Sequence, residues 1–189
     1  ADFVPPPWEH VDELTCDLAA FCNRTDLPPV LQAAIAHAQF ETIHPFMDGN
    51  GRAGRALIGM ILIRRGVCTR AVPPVSLVLA GSADAYVRGL TNYRLADPAD
   101  WFEFFARSVA TAANSSQELG RRIDELSDAW MLQAGNPRVG SAARALIRAL
   151  PAHPVLTLAT AMEVTSTSDE ACRQALNRLA AAEVLRGTT

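Results

Sequence analysis

The chain has 189 residues, 49% of them hydrophobic and 20% charged, enough for one domain with a core or one domain plus a small appendage. All 17 basic residues are arginine, which excludes a phosphate loop ending in Gly-Lys-Ser/Thr, a kinase-type strand lysine and a Schiff-base lysine; any phosphate must be held by Arg and backbone N–H groups. A net charge of −3 excludes a strongly basic nucleic-acid binder overall, although the balance changes along the chain: eleven Arg face sixteen acids over residues 1–135, and six Arg face four acids over residues 136–189.

Pro5-Pro6-Pro7 forces an extended start. Val11, Leu14, Leu18 and Phe21 then recur at helical spacing up to about Asn23. Pro28-Pro29 opens a second helix, from about Val30 to Thr42, which must stop before Pro45. After the turn cluster Asp48-Gly49-Asn50-Gly51, an apolar helix from about Arg52 to Arg64 reads as the central buried helix. Helices are expected at about Ser82–Tyr93, Pro98–Ala113 and Ser115–Leu132, with the clearest boundary at Gly135-Asn136-Pro137. The tail reads as a helix (Ser141–Leu150), an extended stretch (Val155–Leu158), a short helix (Ala159–Val164), and a helix over Ser168–Ala182. With 33 Ala and few β-branched runs, the fold class expected is all-α. The longest apolar run, Ala56–Ile63, is far too short for a membrane span, and no signal peptide is expected. Cys16, Cys22, Cys68 and Cys172 lack Cys-x-x-Cys spacing and read as buried free thiols of a reducing compartment.

The chemistry concentrates in His44-Pro45-Phe46-Met47-Asp48-Gly49-Asn50-Gly51-Arg52-Ala53-Gly54-Arg55. The N-terminus of a helix carries unpaired N–H groups and attracts anions. Gly49 and Gly51 let the backbone approach an anion, and Arg52 and Arg55, three apart, share one helical face. Arg is suited to phosphate oxygens. Asp48 can hold Mg²⁺, which takes one or two carboxylates plus phosphate oxygens, and His44 is a titratable base at the rim. Each residue alone has an ordinary reading as a turn, a cap or an ion pair; their joint occurrence points to a polyphosphate cradle with a metal and a general base. A metal hydrolase built on His37, His44 and Asp48 is the weaker alternative, because that spacing matches no zinc pattern and leaves Arg52 and Arg55 unexplained.

His44 to Arg55 resembles the signature of the Fic family (the Fic/Doc, or Fido, fold), His-Pro-Phe-x-Asp/Glu-Gly-Asn-Gly-Arg-x-x-Arg, at every specified position. The resemblance extends through Phe40–Ile43, Ala85–Leu90 and Trp101–Phe105, and so covers roughly residues 1–135. It implies a helical bundle around a central buried helix, and AMP transfer from ATP to a Tyr, Thr or Ser hydroxyl of a target protein. His44 would be the general base and Asp48 the Mg²⁺ ligand. Gly49, Asn50 and Gly51 would form the anion hole, and Arg52 and Arg55 would hold the β- and γ-phosphates. Phe46 would point into the core. Tyr86 and Val87 fall where the family has two aromatic residues near the nucleotide, a pattern from which Val87 departs. Gly51 stands where the kinases of the family carry Lys, which favours AMP transfer over phosphoryl transfer. The family's flap and inhibitory helix are expected upstream of Ala1, which would make this chain a fragment of an autoinhibited protein.

Residues 136–189 read as a small winged helix-turn-helix module, in which the second helix, Ala159–Val164, turns at Thr165-Ser166 into a helix opened by Thr167, and Val184-Leu185-Arg186 starts a wing. Ala171, Ala175, Leu176 and Leu179 would face inward, and Arg173, Gln174, Asn177 and Arg178 would face out, where such side chains read bases or phosphates. A DNA or protein partner follows from that reading, as does an alternative function for the whole chain, a non-enzymatic nucleotide-sensing regulator. A homodimer is left open. The Arg-only, Ala-rich composition suggests a GC-rich bacterial genome and a cytoplasmic protein.

Overall fold

The computed structural model describes residues 3–187. Among them there is no strand. A 3₁₀ turn (Trp8–His10) leads into nine helices: α1 (Val11–Cys22), α2 (Pro29–Ile43), α3 (Asn50–Arg64), α4 (Val75–Gly81), α5 (Ala83–Arg94), α6 (Ala99–Gln133), α7 (Ala142–Ala149), α8 (Leu158–Thr165) and α9 (Asp169–Ala181). Two compact units divide the chain, residues 1–116 and 117–189, and α6 supplies helix to both. The division falls upstream of Gly135-Asn136, where α6 has ended and both residues are left-handed.

In the first unit, the buried helix at the centre is α2 rather than α3. Ala33, Ala34, Ala36 and Ala38 are buried together with Gln32, His37, Glu41 and Ile43. α3 buries Gly54, Ile58, Ile61 and Leu62, but Met60 and Ile63 on its other face are exposed. Small residues let the two backbones approach. A Cβ at Gly54 would lie 2.6 Å from Glu41 Oε1, 3.1 Å from Phe40 Cδ1 and 3.2 Å from His37 Cε1. Gly54→Ala therefore overpacks the α2–α3 seam at three points, two of them ring atoms. The loss should exceed the helix-propensity gain and lower stability by about 2 kcal/mol, where an exposed helical Gly→Ala would raise it. Denaturant midpoints of the two proteins check this.

Trp101 of α6 is fully buried; its Nε1–H donates to the Ala34 carbonyl at 3.0 Å, and Gly89 of α5 makes room for its indole. The loop after α1 is held by a side chain of α2 and by that of the residue closing α3. Gln32 Nε2 donates to the Phe21, Cys22 and Arg24 carbonyls, and Arg65 donates to Gln32 Oε1 and to the Thr25 and Leu27 carbonyls. The Cys22 carbonyl is among those a helix end leaves unpaired, and the Arg24, Thr25 and Leu27 carbonyls belong to the loop itself.

α4 follows Pro74 where no helix is expected from the sequence. The two helices expected over Pro98–Ala113 and Ser115–Leu132 are one helix of 35 residues. Asn114 and Ser115 are poor helix formers but not breakers, and Ser116 Oγ donates back to the Ala112 carbonyl at 2.9 Å. Of the four free thiols only Cys172 is buried; Cys16 is exposed, and Cys22 and Cys68 are partly so.

The second unit packs α7, α8 and α9 with Met131 and Ala134 around Leu146, Ile147, Ala161, Cys172 and Leu179. Its helices start on hydroxyl caps: Ser141 for α7, Thr157 for α8 and Ser168 for α9. Ser168, not Thr167, opens α9; Thr167 Oγ1 instead lies 2.7 Å from Thr165 Oγ1 and 3.1 Å from Cys172 Sγ. Residues 155–157 are irregular, and Val184 and Leu185 lie in a bend. Ala175 and Leu179 face the core as expected. Arg178, expected to face a partner, is turned back: its guanidinium donates to the Ala134 and Gly135 carbonyls at the end of α6. Arg173 pairs with Asp169 at 2.6 Å, and Gln174 donates to Glu170 at 2.7 Å. No helix is long and apolar enough to cross a membrane among the described residues.

Candidate active site

α2 ends because Pro45 disfavours helical geometry at the residue before it. His44 takes the left-handed conformation instead (φ 51°, ψ 57°), and its N–H still donates to the Phe40 carbonyl at 2.9 Å. The chain then turns through residues 45–49 into α3, with Gly49 at φ 88°. Phe46, expected in the core, is 53% exposed and rests on Phe40 with ring centroids 6.1 Å apart. The loop is pinned by Asn50. Its buried amide donates to the Phe46 carbonyl at 2.6 Å and accepts from the Phe46 N–H at 2.9 Å.

His44, Met47, Asp48, Gly49, Asn50, Gly51, Arg52 and Arg55 line one open depression of about 350 Å³. No side chain caps α3, so its first N–H groups are unpaired at this rim. The arginine heads fold back over the glycines. A Cβ at Gly49 would meet Arg52 Nη2 at 3.4 Å, and one at Gly51 would meet Arg55 Nη1 at 3.0 Å. Arg52 reaches Asp48 Oδ2 at 3.3 Å, an exposed and loose pair. Arg55 forms no ion pair among the described residues. Helix N-terminus and two guanidiniums together make a site for a multiply charged anion.

Asp48 is the carboxylate of this rim, 93% exposed in its side chain, with Oδ1 accepting from the Gly49 N–H at 2.6 Å. No group of three or more His, Cys, Asp or Glu residues able to hold a metal occurs among the described residues. A single accessible carboxylate does not make a protein cage. It does fit Mg²⁺, which keeps water and phosphate oxygens as its other ligands.

Tyr86 and Val87 are on α5 and do not line the depression. The Tyr86 hydroxyl lies 2.9 Å from His37 Nε2, and Val87 is 60% exposed. Behind the motif sits a buried polar layer. His37 is fully buried, and desolvation pushes its imidazole down to about 4, against a smaller upward pull from the Gly54 carbonyl. Burial raises the Glu41 carboxyl above its ordinary value, opposed by His44, Arg55 and Arg94. Burial also raises the Tyr86 phenol, with Glu41 adding to the effect. Beside His44 stand Phe3, edge-on with ring centroids 6.1 Å apart, and Arg94, whose guanidinium carbon is 3.7 Å from the centre of the Phe3 ring. Glu41, Arg94 and Phe3 have no role in the sequence reading. Glu41 lies one turn before His44 on α2, whereas Phe3 and Arg94 are far apart in sequence and meet through the fold.

Comparison with known proteins points to one family. The family model for Fic/DOC proteins matches residues 1–62. The chain is 37% identical over 87 residues to a protein adenylyltransferase of Caenorhabditis briggsae, covering 44% of the chain and 16% of that protein. It is 32% identical over 139 residues to the protein adenylyltransferase Fic of Nematostella vectensis, covering 68% of the chain and 31% of that protein. A crystal structure of a Fic family protein from Desulfovibrio desulfuricans superposes with a TM-score of 0.58 at 26% identity, over 95% of this chain and 50% of that one. The chain thus spans a third or less of these curated relatives. With the twelve-residue motif intact, its helices matching a solved Fic family protein and its first 62 residues matching the family model, the chain belongs to the Fic/DOC family.

Proposed function

We propose that the chain transfers AMP from ATP to a Tyr, Thr or Ser hydroxyl of a target protein. The observation that carries this reading is the convergence of His44, Asp48, Arg52 and Arg55 on one open depression at the uncapped start of α3. The triphosphate lies along Gly49, Asn50 and Gly51, with Arg52 and Arg55 on the β- and γ-phosphates. His44 takes the proton of the acceptor hydroxyl, which is too weak a nucleophile at neutral pH to act unaided. The hydroxyl oxygen bonds to the α-phosphorus as the bond from that phosphorus to the α,β-bridging oxygen breaks, and pyrophosphate leaves. Mg²⁺ bound through Asp48 would neutralise charge on the phosphates. Arg52 and Arg55 stabilise the charge that develops on the leaving pyrophosphate. Tyr86, bonded to His37, and the exposed Val87 beside it in sequence lie toward the nucleotide base in this reading. The names of the curated relatives, protein adenylyltransferases, support the same class of reaction.

Label transfer tests the proposal. Protein acceptors from a lysate should take label from α-labelled ATP in the presence of Mg²⁺ and none from γ-labelled ATP. Labelling should vanish in Arg55→Ala together with most of the nucleotide affinity. Label from the γ-position would make the protein a kinase and overturn the proposal.

A further inference from the structure

Arg94 closes α5, half-buried, and it does not line the depression. Its Nη2 donates to the Glu41 main-chain carbonyl at 3.1 Å, and its Nε donates to Thr42 Oγ1 at 3.3 Å. Glu41 and Thr42 belong to the last turn of α2, immediately before His44, where helix carbonyls lack intrahelical partners. The face of the same guanidinium covers the Phe3 ring at 3.7 Å, and Phe3 meets the His44 imidazole edge-on. One side chain thus holds both neighbours that place His44: the helical turn it leaves and the aromatic ring beside it.

We propose that Arg94 is the positioning residue for His44, fixing the imidazole through the last turn of α2 and through Phe3. This rests on the reading of His44 as the base. His44 is exposed, and its own contacts supply little restraint. A histidine side chain free to change rotamer spends much of its time away from an acceptor hydroxyl, and misplacement of a catalytic group by about 1 Å can cost 10²-fold in rate. The task needs arginine. A planar guanidinium donates along its edge while its face stacks on an aromatic ring, and a lysine ammonium cannot do both at once. Glu41 sustains the positive charge, offsetting the desolvation of Arg94.

The variants Arg94→Met, Arg94→Lys and Phe3→Leu separate positioning from simple stabilisation. Phe3→Leu leaves the two bonds from Arg94 to α2 in place. Three readouts are taken below the melting temperature: Mg-ATP affinity, single-turnover AMP transfer at saturating ATP, and the imidazole resonances of His44. The affinity should be unchanged, since Arg52 and Arg55 are untouched. Transfer should fall by about 10- to 100-fold in Arg94→Met and less in the other two. The His44 resonances should move toward those of a histidine in a flexible peptide in Arg94→Met and in Phe3→Leu. Resonances that stay put in both variants, or transfer that falls only as far as affinity does, overturn the proposal. If the unaltered protein transfers no label, the AMP-transfer reading fails, and the resonances alone decide whether Arg94 positions His44. Should Arg94→Met not fold, Phe3→Leu decides.

Discussion

His44→Gly is expected to abolish most AMP transfer while leaving the protein as stable as before or slightly more so. The loss of a general base costs about 10²–10⁴-fold in rate. Mg-ATP affinity should survive, because Gly49, Gly51, Arg52 and Arg55 are untouched. The stability argument is separate and comes from the backbone. His44 is held at φ 51°, which a residue with a Cβ adopts at a cost of about 1–2 kcal/mol. Glycine removes that cost and surrenders about 0.5–1 kcal/mol through the greater freedom of the unfolded chain. His44→Ala loses the base equally but keeps the strain. It should therefore melt below His44→Gly by about 1 kcal/mol, with the same loss of transfer. Transfer retained in either variant would mean that another group takes the proton. An alanine variant as stable as the glycine one would mean that the chain leaves α2 in a different conformation.

Acid should weaken the fold through His37 well before the carboxylates of the surface are neutralised. An unfolded histidine titrates at its ordinary 6.5, whereas burial holds His37 down at about 4. Between these values the unfolded chain carries a proton that the folded one refuses, so folding stability is lost as pH falls through that window. The full contribution is about 3 kcal/mol, undiscounted because the side chain is buried. Glu41 acts in the opposite sense. Its raised carboxyl gains a proton more readily in the fold, which offsets part of the loss at the acid end. His37→Gln keeps an acceptor for the Tyr86 hydroxyl but removes the titration. Urea unfolding of both proteins from pH 7 to pH 4 should give a steep decline for the unaltered protein and a much flatter one for the variant. Parallel curves would show that His37 takes up its proton without unfolding.

The site was more legible in the sequence than its surroundings. Pro29 and Pro45 bracket α2, and the Asp48–Gly51 turn starts α3, so both helices were found to within two residues. The motif is contiguous, and folding adds only its curvature. Phe46 was misplaced because aromatic type suggests burial, while the loop is in fact closed by the Asn50 amide, whose two bonds have no mark in the sequence. α3 looked central because it is apolar on most faces, yet alanines, a histidine and a glutamate make α2 the more buried helix. Composition alone does not reveal that His37 and Glu41 lie inside. Arg94 and Phe3 carry no mark in the sequence for another reason: they meet across more than ninety residues. Helical spacing puts Arg178 on the outward face, but spacing fixes the face of a residue and not the reach of a long side chain.

The helix α6 also limits how this chain can be taken apart. Domain exchange and truncation usually cut at a loop, where few backbone bonds are lost. Here the two units change over inside one helix of 35 residues. A cut near Ser116 leaves four carbonyls without partners on one piece and four N–H groups on the other. A cut after Gln133 leaves the first piece with a long amphipathic overhang and strips Met131 from the core that α7, α8 and α9 share. Recombination that swaps the second unit for another therefore has to supply a segment that continues α6 as helix.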